Sequence, residues 1–161
     1  MKNLAELIEK SIELELNAAG LYALFHFAFP DDAAFWWQLH LEERNHASLL
    51  RSIKDTFLPI SVYPEGLLLP SLQQLIKTNE RLQNLLAEFR KMPPARDEAF
   101  HIALEIETSA GEIHFQKFAE QQHENKIDQI FSKLVREDKN HLQRIQQYML
   151  NRNIRIQGIK I

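Results

Sequence analysis

The sequence predicts an all-α fold: four long helices arranged as two hairpins, with a further helix in the connection between them. Three observations carry this prediction. Apolar residues recur every three or four positions over long stretches, the mark of core-facing helical stripes. Glycine and proline are few, four and six among 161 residues, and the prolines fall where the stripes stop. An acid and a histidine one helical turn apart interrupt a stripe twice, in segments that align with each other. These are Leu39-His40-Leu41-Glu42-Glu43-Arg44-Asn45-His46 and Leu134-Val135-Arg136-Glu137-Asp138-Lys139-Asn140-His141.

The first helix is expected over 3–28, with the stripe Leu4, Ile8, Ser11, Glu15, Ala18, Tyr22, Phe25 and Phe29. Pro30-Asp31-Asp32 ends it and caps the next. The second helix runs from about 32 to 57 with Trp36, Leu39, Glu43, His46, Leu50, Ile53 and Phe57 on one face. Residues 58–94 form a long crossover. Within it Ser71 reads as an N-cap, and 71–91 as an amphipathic helix of ~31 Å at 1.5 Å per residue. Pro93-Pro94 closes that helix. The third long helix covers about 95–122 with Phe100, Ala103, Glu107, Ala110, His114 and Phe118. The fourth runs from a polar turn near Asn125 to about 150 and carries Ile127, Phe131, Leu134, Asp138, His141, Ile145 and Tyr148. The bundle therefore spans 3–150. The tail, 151–161, switches to a shorter period through Ile154, Ile156, Ile159 and Ile161, which predicts an extended arm packed on the bundle or against another subunit.

Composition narrows the function classes. The net charge of −3 offers no basic field for nucleic acid. The absence of cysteine excludes disulfides, thiolate zinc sites and iron–sulfur clusters held by this chain. It fits a reducing compartment. The N-terminus lacks a signal-peptide core, and the longest apolar run, around Leu21 to Phe29, is too short to span a membrane. A soluble cytoplasmic protein is the expectation, with no nucleic-acid or membrane partner.

The polar residues within the stripes share one depth. Glu15 lies about 22 Å before Pro30, and Glu43 and His46 about 20 and 24 Å after it, at 1.5 Å per residue. Glu107, Asp138 and His141 lie at similar distances from the turn near His123. The hairpins also match elsewhere: Ile12-Glu13-Leu14-Glu15 aligns with Leu104-Glu105-Ile106-Glu107, and Ala18 with Ala110, while Tyr22 stands where the second copy has His114. Packed together, the hairpins bring Glu15, Glu43, His46, Glu107, Asp138 and His141 into one core. Burying four unpaired carboxylates costs several kcal/mol each, roughly, and the stripes hold no Lys or Arg to offset them. Two divalent cations cancel four negative charges, and neutral imidazoles complete their coordination. Mixed oxygen and nitrogen donors suit Fe, Mn or Zn. The competing reading is two buried acid–histidine ion pairs without metal.

This constellation resembles the ferritin-like di-iron carboxylate proteins, in which two helices each give a Glu and two each give Glu-x-x-His. Within that group the chain looks most like the rubrerythrin-type di-iron domains. Glu15 followed seven residues later by Tyr22, then Glu43 with His46, then Glu107, match the family's pattern. Asp138 stands where the family has Glu and is one methylene shorter, which bears on a symmetric bridge and on the second metal's affinity. Ala110 falls where rubrerythrins carry an extra Glu, so the six residues are closer to the bacterioferritin type. Without cysteine there is no rubredoxin-like iron centre.

The resemblance implies two Fe ions, with Mn or Zn as alternatives. It implies an oxidoreductase that reduces hydrogen peroxide or O2 with electrons from a separate donor. Tyr22 and His114 are expected either to hold ligand carboxylates or simply to pack. A homodimer is expected, and Trp36-Trp37 reads as core plus a dimer or helix contact. Glu42, Glu137, and the pair His101/Glu105 read as surface ion pairs, His26 and His40 as packing histidines. Iron oxidation for storage, hydroxylation of an organic substrate, and a structural bundle without catalysis are the other readings.

Overall fold

The computed structural model describes residues 2–57, 72–108 and 140–155. Every regular element among them is a helix: α1 Lys2–Ala28, a 3₁₀ turn Pro30–Asp32, α2 Ala33–Phe57, α3 Leu72–Phe89, α4 Arg96–Glu107 and α5 over 140–151. The expected bounds of the first two long helices and of the crossover helix hold to within a few residues. Residues 58–71, 109–139 and 156–161 fall outside the described residues. The Ser71 cap, His114, Asp138 and the second turn lie there, as do Ile156, Ile159 and Ile161 of the tail. No described helix is long and apolar enough to cross a membrane.

Helix directions follow from cross-contacts. His26 Nδ1 meets the Ala33 carbonyl at 2.9 Å and His40 Nδ1 the Ala19 carbonyl at 2.8 Å. Further along, His46 faces Glu15, and Lys54 pairs with Glu9. One partner ascends while the other descends, so α1 and α2 form an antiparallel hairpin, and both histidines brace its seam. α3 runs alongside α1 in the same direction, with Asn79 bonded to Lys10 and Asn17, and Phe89 against Phe25. Gly20 sits where they press closest: a Cβ there would meet Leu86 at 3.1 Å. The absent side chain lets α3 dock, which offsets glycine's poor helix propensity.

α4 begins after Pro93-Pro94 with Asp97 and Glu98 in its first turn, where acids suit the helix dipole. Its Arg96 reaches Asp32, its Phe100 packs on Trp36, and its Glu107 meets Tyr22 of α1. Hence α4 runs with α2 and against α1. α5 runs back along both, from His141 beside Glu43 to Tyr148 beside Phe35 and Phe100.

The core is the apolar stripes folded inward: Leu21, Tyr22, Phe25, Trp36, Leu39, Phe100, Ile145 and Met149 are essentially inaccessible. The second half of the Trp pair differs. Trp37 stays partly exposed and stacks on His40 at 4.7 Å.

Asp32 has a larger part than helix capping. Its carboxylate is buried and accepts two bonds from Arg96, at 2.6 and 2.8 Å, and one from the Tyr148 hydroxyl at 3.0 Å. It thus ties the α1–α2 turn to α4 and α5. Burial raises the Asp32 carboxyl, but Arg96 and Tyr148 outweigh it, and its pKa lies below the usual aspartate value. A lowered folded pKa adds stability that is present above the ordinary value and is lost as pH falls through the folded one. Asp32→Asn should cost about 2 kcal/mol at neutral pH, since it removes a charged acceptor from two donors. It should also flatten the acid limb of a thermal-melt series. An unchanged melt at pH 7 would show the tie to be idle.

The tail begins with a turn rather than a strand. Asn153 adopts φ 56°, the Ile154 amide donates to the Met149 carbonyl at 2.9 Å, and the Asn153 amide donates to Leu150. This is a Schellman cap with asparagine in the left-handed position, and buried Ile154 packs back on the core. Asn153→Ala should destabilise by ~1 kcal/mol and Asn153→Gly should not, because only alanine meets the left-handed penalty. Chemical denaturation of the two variants tests this.

Candidate metal centre

Midway along the helices, six polar side chains from four elements meet: Glu15 and Tyr22 from α1, Glu43 and His46 from α2, Glu107 from α4, and His141 from α5. Helical spacing explains the local geometry. Glu43 and His46 are three residues apart, so both project to the side that Leu39 and Leu50 bury. Glu107 ends the buried face of Phe100 and Ala103 in the same way. All are sequestered: Glu43, His46, Glu107 and His141 are buried, and the Glu15 side chain is 13% exposed.

Glu43 is the centre of the group. Its Oε2 lies 3.2 Å from His46 Nδ1, and its Oε1 lies 3.0 Å from His141 Nδ1. Glu15 Oε2 flanks the first imidazole at 3.7 Å, and Glu107 Oε2 the second at 3.6 Å. The two imidazoles lie nearly parallel, with centroids 5.3 Å apart. The arrangement is two similar half-sites, Glu15/His46 and Glu107/His141, sharing one carboxylate.

Outer partners fix these groups. The Tyr22 hydroxyl donates to Glu107 Oε1 at 2.6 Å, leaving Oε2 for the interior. His141 Nε2 lies 3.0 Å from Glu42 Oε2, so Nδ1 is the nitrogen turned toward Glu43 and Glu107. Glu42 pairs with Arg144, as a surface acid does, but sequence reasoning missed its second role. One signal was present: both copies of the repeat carry a glutamate immediately before the stripe acid, Glu42 and Glu137. His101 and Glu105 are engaged separately, with the Asp97 carbonyl and with Arg81.

The electrostatics are those of a crowded carboxylate cluster. Burial pushes the Glu15 carboxyl well above the usual range, and the Glu43 charge adds to this. Glu107 is raised for the same two reasons. Burial also opposes ionisation of Glu43, yet the adjacent His141 and His46 hold it below the usual range. Burial disfavours the charged imidazoles, but the carboxylates around them prevail. His46 is raised to about 11, and His141 is raised strongly as well. The metal-free cluster thus keeps protons where cations could stand.

The fit to a metal rests on two buried atoms. His141 Nδ1 makes no well-aligned hydrogen bond, although it lies 3.0 Å from Glu43 Oε1 and 3.6 Å from Glu107 Oε2, and the inaccessible Glu107 Oε2 makes none either. Such orphans are rare in native proteins, and a site for a bound ion is one physical reason for them. Glu43, His46 and His141 each place a ligand atom within 4.8 Å of the others. Among the six residues expected to bind metal, the structure brings together Glu15, Glu43, His46, Glu107 and His141. Asp138 lies outside the described residues, as does His114, while Tyr22 bonds the Glu107 carboxylate. Comparison with known family models, with curated proteins and with solved structures finds no match to this chain.

Proposed function

We propose that the chain is a ferritin-like four-helix bundle with an additional helix in its long crossover, carrying a dinuclear metal centre. The activity that follows is a non-haem di-iron oxidoreductase of rubrerythrin type. It reduces hydrogen peroxide or O2 with electrons from an external donor. The observation that carries this reading is Glu43, which offers one oxygen to each of two half-sites while both Nδ1 atoms turn toward it. A structural salt-bridge cluster has no need of that symmetry. The helix directions support the bundle, since α1 opposes α4 as two related hairpins require.

In this reading Glu15 and His46 would hold one ion and Glu107 and His141 the other, Glu43 would be shared between them, and Asp138 would be a further ligand. Iron held there would relay electrons from the external donor to the oxidant. The chain's own residues fix the donor atoms and keep the pocket dry. Tyr22 orients Glu107, Glu42 sets the His141 tautomer, and the Trp36–Phe100 layer seals one side from water. Mn or Zn would satisfy the same donors without that redox role.

Metal content of protein purified without an affinity metal, then reloaded anaerobically with Fe(II), tests the reading. About two Fe per chain and turnover of peroxide with an artificial donor are expected. Two Fe without turnover, in a large closed assembly by size exclusion, would favour iron storage. No stoichiometric metal would leave a protonated acid–histidine cluster, the reading that the raised histidines favour.

A further inference from the structure

A buried centre needs an entrance, and its ligands are nearly inaccessible. On the α2–α5 side, a polar cavity of about 260 Å3 is lined by Glu42, Asn45, Asn140, His141 and Arg144. It touches a candidate ligand, His141, directly. Each of its five lining residues carries an oxygen or nitrogen function, the surroundings in which a hydrated divalent cation can shed water stepwise. Glu42 stands at the threshold. It receives Arg144 Nη1 on both oxygens, at 3.0 and 2.8 Å, Gln38 at 3.0 Å, and faces His141 Nε2 on the inner side. Both members of the ion pair reach solvent, with Arg144 26% and Glu42 30% exposed.

The geometry points to this cleft as the entry path for divalent cations, latched by the Arg144 guanidinium on Glu42. The inference rests on the metal-centre reading above. While closed, Arg144 presents a positive charge and occupies the one carboxylate that lines the mouth among the described residues. An incoming cation competes with it for Glu42, and once Arg144 swings out, Glu42 becomes the first oxygen ligand on the way in. A partly exposed pair of this kind is weak enough to open readily. It should slow entry without blocking it. The approach past Glu15, the most exposed of the site carboxylates, is the competing route.

Stopped-flow uptake of Co(II), followed by its visible absorption, tests the latch in the full chain. Arg144→Gln should load about fivefold faster than wild type, the factor that an exposed charge pair holds closed. The final stoichiometry at saturating metal should not change. Glu42→Gln, lacking both latch and landing carboxylate, should load more slowly than Arg144→Gln. Higher ionic strength should speed wild-type loading, whereas an unlatched acidic entrance would be slowed by salt. If Arg144→Gln does not fold, Arg144→Lys and the salt series carry the same test. Wild-type rates in both variants with full loading would place the entrance elsewhere and leave the metal centre standing. Absence of Co(II) binding in wild type would overturn both.

Discussion

Glu43→Ala is expected to abolish tight binding at both metal positions at once. A terminal ligand such as Glu15 serves one half-site, but Glu43 faces His46 with one oxygen and His141 with the other. Loss of a mere supporting hydrogen bond typically weakens a metal site about 10–100-fold, and removal of the shared ligand should exceed that. Competition titration with a chromophoric chelator measures it directly. Thermal stability gives a second readout. Ligand at a thousandfold excess over Kd adds about 4 kcal/mol, or roughly 10 °C for a chain of this size. Wild type should show that rise with metal and Glu43→Ala should not. A variant that still binds two ions would remove Glu43 from the centre of the arrangement. The metal-free variant should also be weakened, because His46 and His141 lose one of the carboxylates that hold them charged.

The second large effect is a pH dependence of the metal-free protein. His46 is raised from an ordinary 6.5 to about 11, and His141 is raised in the same direction. Above pH 6.5 the unfolded chain has released these protons while the folded chain retains them. Stability from the two histidines is therefore complete below about pH 6.5 and declines as pH rises toward the folded values. The limiting slope is about 1.4 kcal/mol per pH unit for each histidine. Melts of metal-free protein between pH 6 and 9 should show the midpoint falling, by more than about ten degrees at the limiting slope. Metal-loaded protein should resist the decline, because cations replace the protons. Loading at neutral pH should accordingly release about two protons per chain from the histidines, readable with a pH indicator in weak buffer. A flat melt series would mean that both imidazoles are neutral, and the electrostatics of the cluster would need another account.

The two effects are linked through the same groups. A cluster that keeps its acids in place by protonating two histidines is preorganised for cations, because the donors already converge. It pays for binding with protons, so affinity should rise with pH while metal-free stability falls.

Sequence periodicity was enough to place Glu15, Glu43 and His46 on buried helix faces, and equal depth from Pro30 was enough to predict that they meet. Both arguments depend only on helical rise and on the short connection between α1 and α2. Glu107 and His141 were legible through the internal repeat, which supplied the second hairpin without any long-range information. The all-α class followed from the same stripes.

Other features depend on partners distant in the chain, which a one-dimensional pattern does not encode. Asp32 read as a helix cap, and only the docking of α4 and α5 made it an anchor for Arg96 and Tyr148. Glu42 read as a surface ion pair, and only the approach of α5 set it against His141 Nε2. Asn153 terminates α5 through a left-handed turn that resembled the start of an extended tail, because the isoleucine spacing beyond it outweighed a single asparagine. Local stripes determined which side chains are buried together. Tertiary packing decided which atoms face each other, because an imidazole or carboxylate presents two different edges. The choice between those edges is made by the neighbour that arrives from another helix.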